Sequence, residues 1–296
     1  MITVYKMGMS YYEKNNNVDK NSGLFEFNMI KDAVEKIRTD KNVLIILNGI
    51  RDLKDNELLE EIKKYDVSIF IMTDAIALHT SLDIMNACSC VLHQAPDYKF
   101  EKITTRQQYN YVPELFYRYT RKLVRELGIR LEQYEDDKVF FGGNNTGRQD
   151  KFEKYNIMNN PLIVQSCKLD GQMDQRMDHN DYIKELSKHK YSLVICRDEY
   201  REPSWLTARF FEALAVGNLP LLDVDYDIKG RMSLKDKPER IYPKCDGEGV
   251  LKIVHAFFEE NRLERLRVLR TLQFRADARA ERFAETIKEV IKQESV

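Results

Sequence analysis

Val43–Leu47 is an unbroken apolar run, and Val67–Met72 is interrupted only by Ser68. Segments this short and this apolar have no face to offer water, which fits strands of a parallel sheet covered by helices on both sides. Their surroundings agree. Met1–Lys6 reads as a first strand, followed by a polar loop through Asn21, and Phe25–Ile37 carries Phe27, Ile30, Val34 and Ile37 at helical spacing. Leu58–Ile62 belongs to a further helix, so strands and helices alternate as in a parallel α/β sheet. An acidic stretch at Glu132–Asp137 reads as a linker, after which the pattern restarts. Strands are expected at Lys138–Phe141, Leu162–Val164, Leu193–Cys196 and Leu219–Leu222, and helices from about Asp150 and over Leu206–Val216, the latter closed by Gly217. Pro220 points to an edge strand or a strand start. Arg262–Ile291 reads as charged helix with a buried stripe.

A chain of 296 residues is long enough for two cores of ordinary size. The expected fold is α/β, two Rossmann-like parallel-sheet domains facing a central cleft. They would cover 1–135 and 136–276, with a C-terminal helix over about 277–296 packing back on the first.

With a net charge of −1, the chain does not bind polyanions by bulk charge, so any nucleic-acid contact needs a local patch. Five scattered cysteines argue against a disulfide framework or a structural zinc site. No long apolar run and no signal-peptide pattern is visible, so the expectation is a cytoplasmic protein without membrane contact.

Two segments carry chemistry. Gly142-Gly143-Asn144-Asn145-Thr146-Gly147-Arg148 stands between a strand and a helix. Glycines let backbone amides approach an anion, and Arg148 can neutralise a phosphate oxygen. A Gly/Asn turn holding no ligand is the simpler alternative. In Ser204–Pro220, Arg209 and Glu212 lie one helical turn apart on one face. Arginine suits a diphosphate and the carboxylate suits the two hydroxyls of a ribose, while a surface salt bridge between them is the plainer reading.

Glu212-Ala213-Leu214-Ala215-Val216-Gly217 followed by an apolar strand resembles the nucleotide-sugar segment of two-domain (GT-B) glycosyltransferases. More narrowly, Val139-Phe140-Phe141-Gly142-Gly143 with Gly147-Arg148-Gln149, Leu193-Val194-Ile195 leading to Tyr200, Leu206–Ala215, and Leu221-Leu222-Asp223 with Tyr226-Asp227 are similar to the C-terminal domain of T-even-phage DNA β-glucosyltransferases. Met7-Gly8 and Thr73-Asp74 resemble that family's N-terminal domain. The resemblance implies UDP-glucose as donor, held by Gly8, Gly142, Gly143, Asn144, Arg148, Tyr200, Arg209 and Glu212. A divalent Mg or Mn ion is compatible with such a site and not demanded by the sequence. The glycine loop is one residue shorter than the family's, so only one of its two basic residues has a match here.

Asp74 follows a buried strand, where ligands of parallel sheets gather, and it matches the family's catalytic base. It could instead cap a helix through Ile76–Met85, and His79 and His93 lie near it in sequence. The acceptor implied is double-stranded DNA containing a 5-hydroxymethylated pyrimidine, glycosylated with inversion. Alternatives are addition of a second sugar to glucosylated hydroxymethylcytosine, a non-DNA acceptor, and a non-enzymatic DNA-interaction protein. Between Lys99 and Arg130, the cations Lys99, Lys102, Arg106, Arg118, Arg121, Lys122 and Arg125 interleave with aromatic residues, a texture suited to holding DNA. A solvated helix face would read the same way.

Overall fold

The computed structural model describes residues 1–6, 20–47, 56–73, 81–94, 99–104, 107–110, 115–143, 148–165, 178–195, 197, 200, 205–224, 244–280 and 282–294. The chain divides into two compact units, 1–113 with 281–296, and 114–280. Each contains a five-stranded, wholly parallel sheet.

In the first unit the strands are β1 (Ile2–Lys6), β2 (Val43–Leu47), β3 (Val67–Met72), β4 (Cys90–His93) and β5 (Gln107–Asn110), side by side in chain order. Every residue of β2, β3 and β4 is buried, which is why β2 and β3 read as apolar runs. Helix Lys20–Val34 joins β1 to β2. The C-terminal helix Arg282–Glu294 buries Phe283, Ile287, Val290 and Ile291 in this unit, and Tyr109 on β5 donates a 2.8 Å hydrogen bond to Glu294.

In the second unit the strands are β6 (Asp136–Phe141), β7 (Ile163–Gln165), β8 (His189–Val194), β9 (Leu219–Asp223) and β10 (Lys244–Cys245). Their order is β10-β9-β8-β6-β7, so the chain leaves β6 toward β7 and then returns past β6 to build β8, β9 and β10. The direction of winding therefore reverses between β6 and β8. Helix Leu115–Glu126 belongs to this unit because it packs on helices Ala208–Val216 and Arg262–Ala280. Val124 joins Phe140, Ile183, Leu186 and Val216 in one core.

Pro220 is not in an edge strand, because β9 lies between β8 and β10. It is tolerated because β10 pairs only with Leu222 and Asp223, leaving Pro220 without a described strand on that side. The long charged helix expected over Arg262–Ile291 is two helices, Arg262–Ala280 and Arg282–Glu294, assigned to different units.

Candidate functional site

In a doubly wound sheet the crossovers on either side of a reversal leave on opposite faces, opening a crevice at the carboxyl ends of the two strands. Here that point lies between β6 and β8. The glycine pair leaves the end of β6, and Ile195, Arg197 and Tyr200 follow β8.

Both glycines are sterically required. A Cβ at Gly142 would lie 2.7 Å from the Tyr182 ring. At Gly143 it would lie 2.5 Å from Cζ of Phe141 and 2.6 Å from Nη1 of Arg148. The Arg148 guanidinium is thus laid against backbone that only glycine leaves open, and the residue is almost wholly buried.

Beneath this loop, helix Gln149–Lys154 is tied into the sheet by Lys151, whose Nζ is 3.6 Å from Oδ1 of the fully buried Asp223 at the end of β9. Tyr155 donates a 2.6 Å hydrogen bond to the Cys245 carbonyl. Burial, followed by the Asp223 charge, pushes the Tyr155 phenol far above its usual range, so it stays a donor. This brace is not legible in the sequence, since a lysine and an aspartate far apart along the chain carry no pattern.

After β8, Tyr200 stacks on Trp205 with centroids 6.3 Å apart, and the Arg197 guanidinium lies 6.0 Å from the Tyr200 ring centre. Trp205, the chain's only tryptophan, is 1% exposed. Arg197 escaped the sequence reading because it sits outside every recognised spacing.

Helix Ala208–Val216 carries the second set. Its apolar residues are buried, and it ends at Gly217 in the left-handed region, φ 92°. Its last carbonyls are satisfied by side chains from elsewhere: Arg121 Nη1 donates to Ala215 O (3.2 Å), Gln273 to Leu214 O (2.8 Å) and Tyr134 to Gly217 O (2.7 Å). Its first turn is the opposite case. The N-cap Thr207 makes no side-chain cap bond, and its Oγ1 is buried without a hydrogen-bond partner among the described residues. Arg209 is half-buried, and Glu212, 6% exposed, makes no hydrogen bond or ion pair among the described residues. The simple i to i+3 salt bridge is not formed.

Asp74, Gly8, Asn144 and Arg106 lie outside the described residues. Lys99 and Lys102 are exposed in the first unit. Arg118, Arg121, Lys122 and Arg125 all stand on helix Leu115–Glu126 of the second. Of these, Arg121 is turned inward onto Ala215, Arg118 pairs with Asp277 at 3.3 Å, Lys122 lies over Tyr119 at 5.6 Å, and Arg125 is exposed. Of the two histidines that could serve in place of Asp74, His79 lies outside the described residues, and His93 is buried and packs edge-on against Phe100 at 5.0 Å. Among the described residues no group of three or more His, Cys, Asp or Glu could hold a metal ion, and no helix is long and apolar enough to cross a membrane.

No family model and no curated protein sequence matches the chain. Solved structures do. A DNA-modifying β-glucosyltransferase, determined with and without uridine diphosphoglucose, is 14% identical, with a TM-score of 0.65 over 100% of this chain and 99% of that one. An α-glucosyltransferase in complex with UDP-glucose and DNA containing an abasic site is 10% identical, TM-score 0.56, over 94% and 84%. The apo structure of OtsA is 11% identical, TM-score 0.52, over 92% and 77%. At such identities the likeness is one of fold, and the fold is that of the GT-B glycosyltransferases, two Rossmann-like parallel-sheet domains in one chain.

Proposed function

We propose that this protein is an inverting, UDP-sugar-dependent DNA glycosyltransferase that moves glucose from UDP-glucose to the hydroxymethyl group of a 5-hydroxymethylated pyrimidine in duplex DNA. The observation that carries the donor half is Glu212, a residue 6% exposed whose carboxylate has no partner among the described residues, one turn from Arg209 on the helix that follows β8. A ribose supplies two hydroxyl donors to such a carboxylate. Arg209 and Arg148 supply charge for the diphosphate, Gly142 and Gly143 let it approach the backbone, and Tyr200 lies beside the uracil or the sugar.

In the transfer, the acceptor hydroxyl oxygen attacks the anomeric carbon of glucose. The bond from that carbon to the UDP oxygen breaks, and UDP leaves with the electron pair. One displacement inverts the anomeric centre. Asp74, two residues beyond β3 in the chain, takes the hydroxyl proton. Arginines around the departing diphosphate stabilise its developing charge. DNA as acceptor is supported by two neighbours whose subjects are a DNA-modifying enzyme and a DNA complex.

The test is incubation with UDP-glucose and duplexes containing hydroxymethylcytosine, hydroxymethyluracil or glucosylated hydroxymethylcytosine, followed by nucleoside mass analysis. A gain of one hexose on a hydroxymethylated base is the expected result. UDP binding with every DNA left unmodified would remove the DNA acceptor and leave the donor site standing.

A further inference from the structure

Helix Leu115–Glu126 and helix Arg262–Ala280 together carry ten Lys and Arg against three Asp and Glu; with Arg121 turned onto Ala215 and Arg265 4% exposed, eight of the ten are left to the surface, in a chain whose net charge is −1. The two helices pack on each other. Arg118 joins them, with Nε 3.3 Å from Oδ1 of Asp277 and Nη2 3.5 Å from its carbonyl. Residues three, four and seven apart share a helix face. Lys122 and Arg125 therefore continue the stripe begun by Arg118, while Phe274, Arg270 and Arg267 continue the stripe that ends at Asp277. Phe274 is 75% exposed amid these cations.

We infer that these two stripes form one electropositive face that docks the sugar-phosphate backbone of duplex DNA. The inference rests on the DNA-acceptor reading above and names a surface of which the sequence patch contained one half. The carboxylates here do not cancel the cations. Glu264 and Glu132 take Arg267 and Arg270, yet both arginine side chains remain more than half exposed. Each guanidinium offers five N–H donors, so donors remain for phosphate oxygens. Arg125 is exposed and has no partner among the described residues. The pairs also restrict the arginines, so less rotamer freedom is lost on binding. Tyr119, held beneath Lys122, and Phe274 supply flat apolar surface against deoxyribose. The electrostatic term gives position without sequence information, as an enzyme acting on many copies of one modified base requires.

The experiment measures affinity for an unmodified duplex against salt, for the intact protein and for the triple variant Lys122→Glu, Arg125→Glu, Arg267→Glu. All three side chains are exposed. Each phosphate contact contributes about 0.9 to the slope of log K against log salt, so the variant's slope should fall by roughly 2 to 3. UDP-induced stabilisation, read in the same samples, should not change, and this separates a lost surface from a lost fold. Should the variant misfold, Lys122→Gln with Arg125→Gln replaces it, with an expected loss of roughly 1 to 2. An intact protein that binds duplex DNA with a slope unaltered by either variant overturns the surface and leaves the DNA reading in place. An intact protein that shows no salt-dependent duplex binding overturns both. Loss of binding to phosphatidylserine vesicles in the variants, with duplex binding untouched, would assign the face to a membrane instead and overturn the proposal.

Discussion

Replacing Glu212 by Gln tests whether its isolation belongs to the apo state of a binding site. Glu212 is 6% exposed as a residue and makes no hydrogen bond or ion pair among the described residues. Glutamine keeps the shape and removes the charge. With no partner lost, apo stability should change by less than about 0.5 kcal/mol. Hydrogen bonds from the ribose to a charged acceptor contribute roughly 1.5–3 kcal/mol, so UDP should bind about 10- to 150-fold more weakly. At a UDP concentration near 100 times the parent Kd, ligand stabilisation of about 2.7 kcal/mol should fall to about 1.4 or less. Trp205, the single tryptophan, buried and stacked on Tyr200, provides a fluorescence readout of the same equilibrium. With 2′-deoxy-UDP the parent should lose affinity and the variant should lose much less. An unchanged apo Tm with weakened UDP binding distinguishes a binding carboxylate from a structural one. A variant that is less stable and binds UDP as well as the parent would refute the assignment.

Gly143→Ala places a methyl where Phe141 and Arg148 Nη1 now stand, 2.5 and 2.6 Å away, so the guanidinium must move and UDP affinity should fall about tenfold or more, measured by Trp205 fluorescence. Burial pushes the Cys88 and Cys245 thiols up to about 12, each being raised from an ordinary value well below this. Both should therefore resist alkylation at pH 8 in the folded protein and react only on unfolding or near pH 12, as followed by peptide mapping; ready labelling of either at pH 8 would contradict their burial. Asp74→Asn should reduce transfer by roughly 10² to 10⁴ with UDP affinity nearly unchanged, since a positioned base contributes about that much; transfer at the parent rate would remove Asp74 from the mechanism.

The elements that read clearly in the sequence are those whose environment leaves a period. β2 and β3 are covered on both sides, so Val43–Leu47 and Val67–Met72 could be read as strands and are strands. β5 is Gln107–Asn110, an edge strand with little apolar content, and the same segment reads in the sequence as part of a basic and aromatic stretch. β4 is apolar through Cys90–Leu92, but three apolar residues closed by a histidine are too short to stand out from a loop. Strand order was not legible at all. No local property of β6, β7 or β8 says that the chain returns past β6, yet that reversal is what marks the crevice.

Charge shows the same divide between type and direction. Arg118, Arg121, Lys122 and Arg125 are alike in the sequence, but helical spacing turns Arg121 onto the C-terminus of Ala208–Val216, where the cation meets the Ala215 carbonyl and the negative end of the helix dipole. The remaining three point toward solvent or toward Asp277. Arg121 thus holds the C-terminal end of the helix that carries Arg209 and Glu212. Its replacement by Ala should therefore loosen that helix and lower Tm, whereas loss of Lys122 or Arg125 should leave Tm unchanged. A basic cluster read from sequence as one surface divides, in the folded unit, into an inward cation that holds one end of the helix carrying Arg209 and Glu212 and cations directed outward.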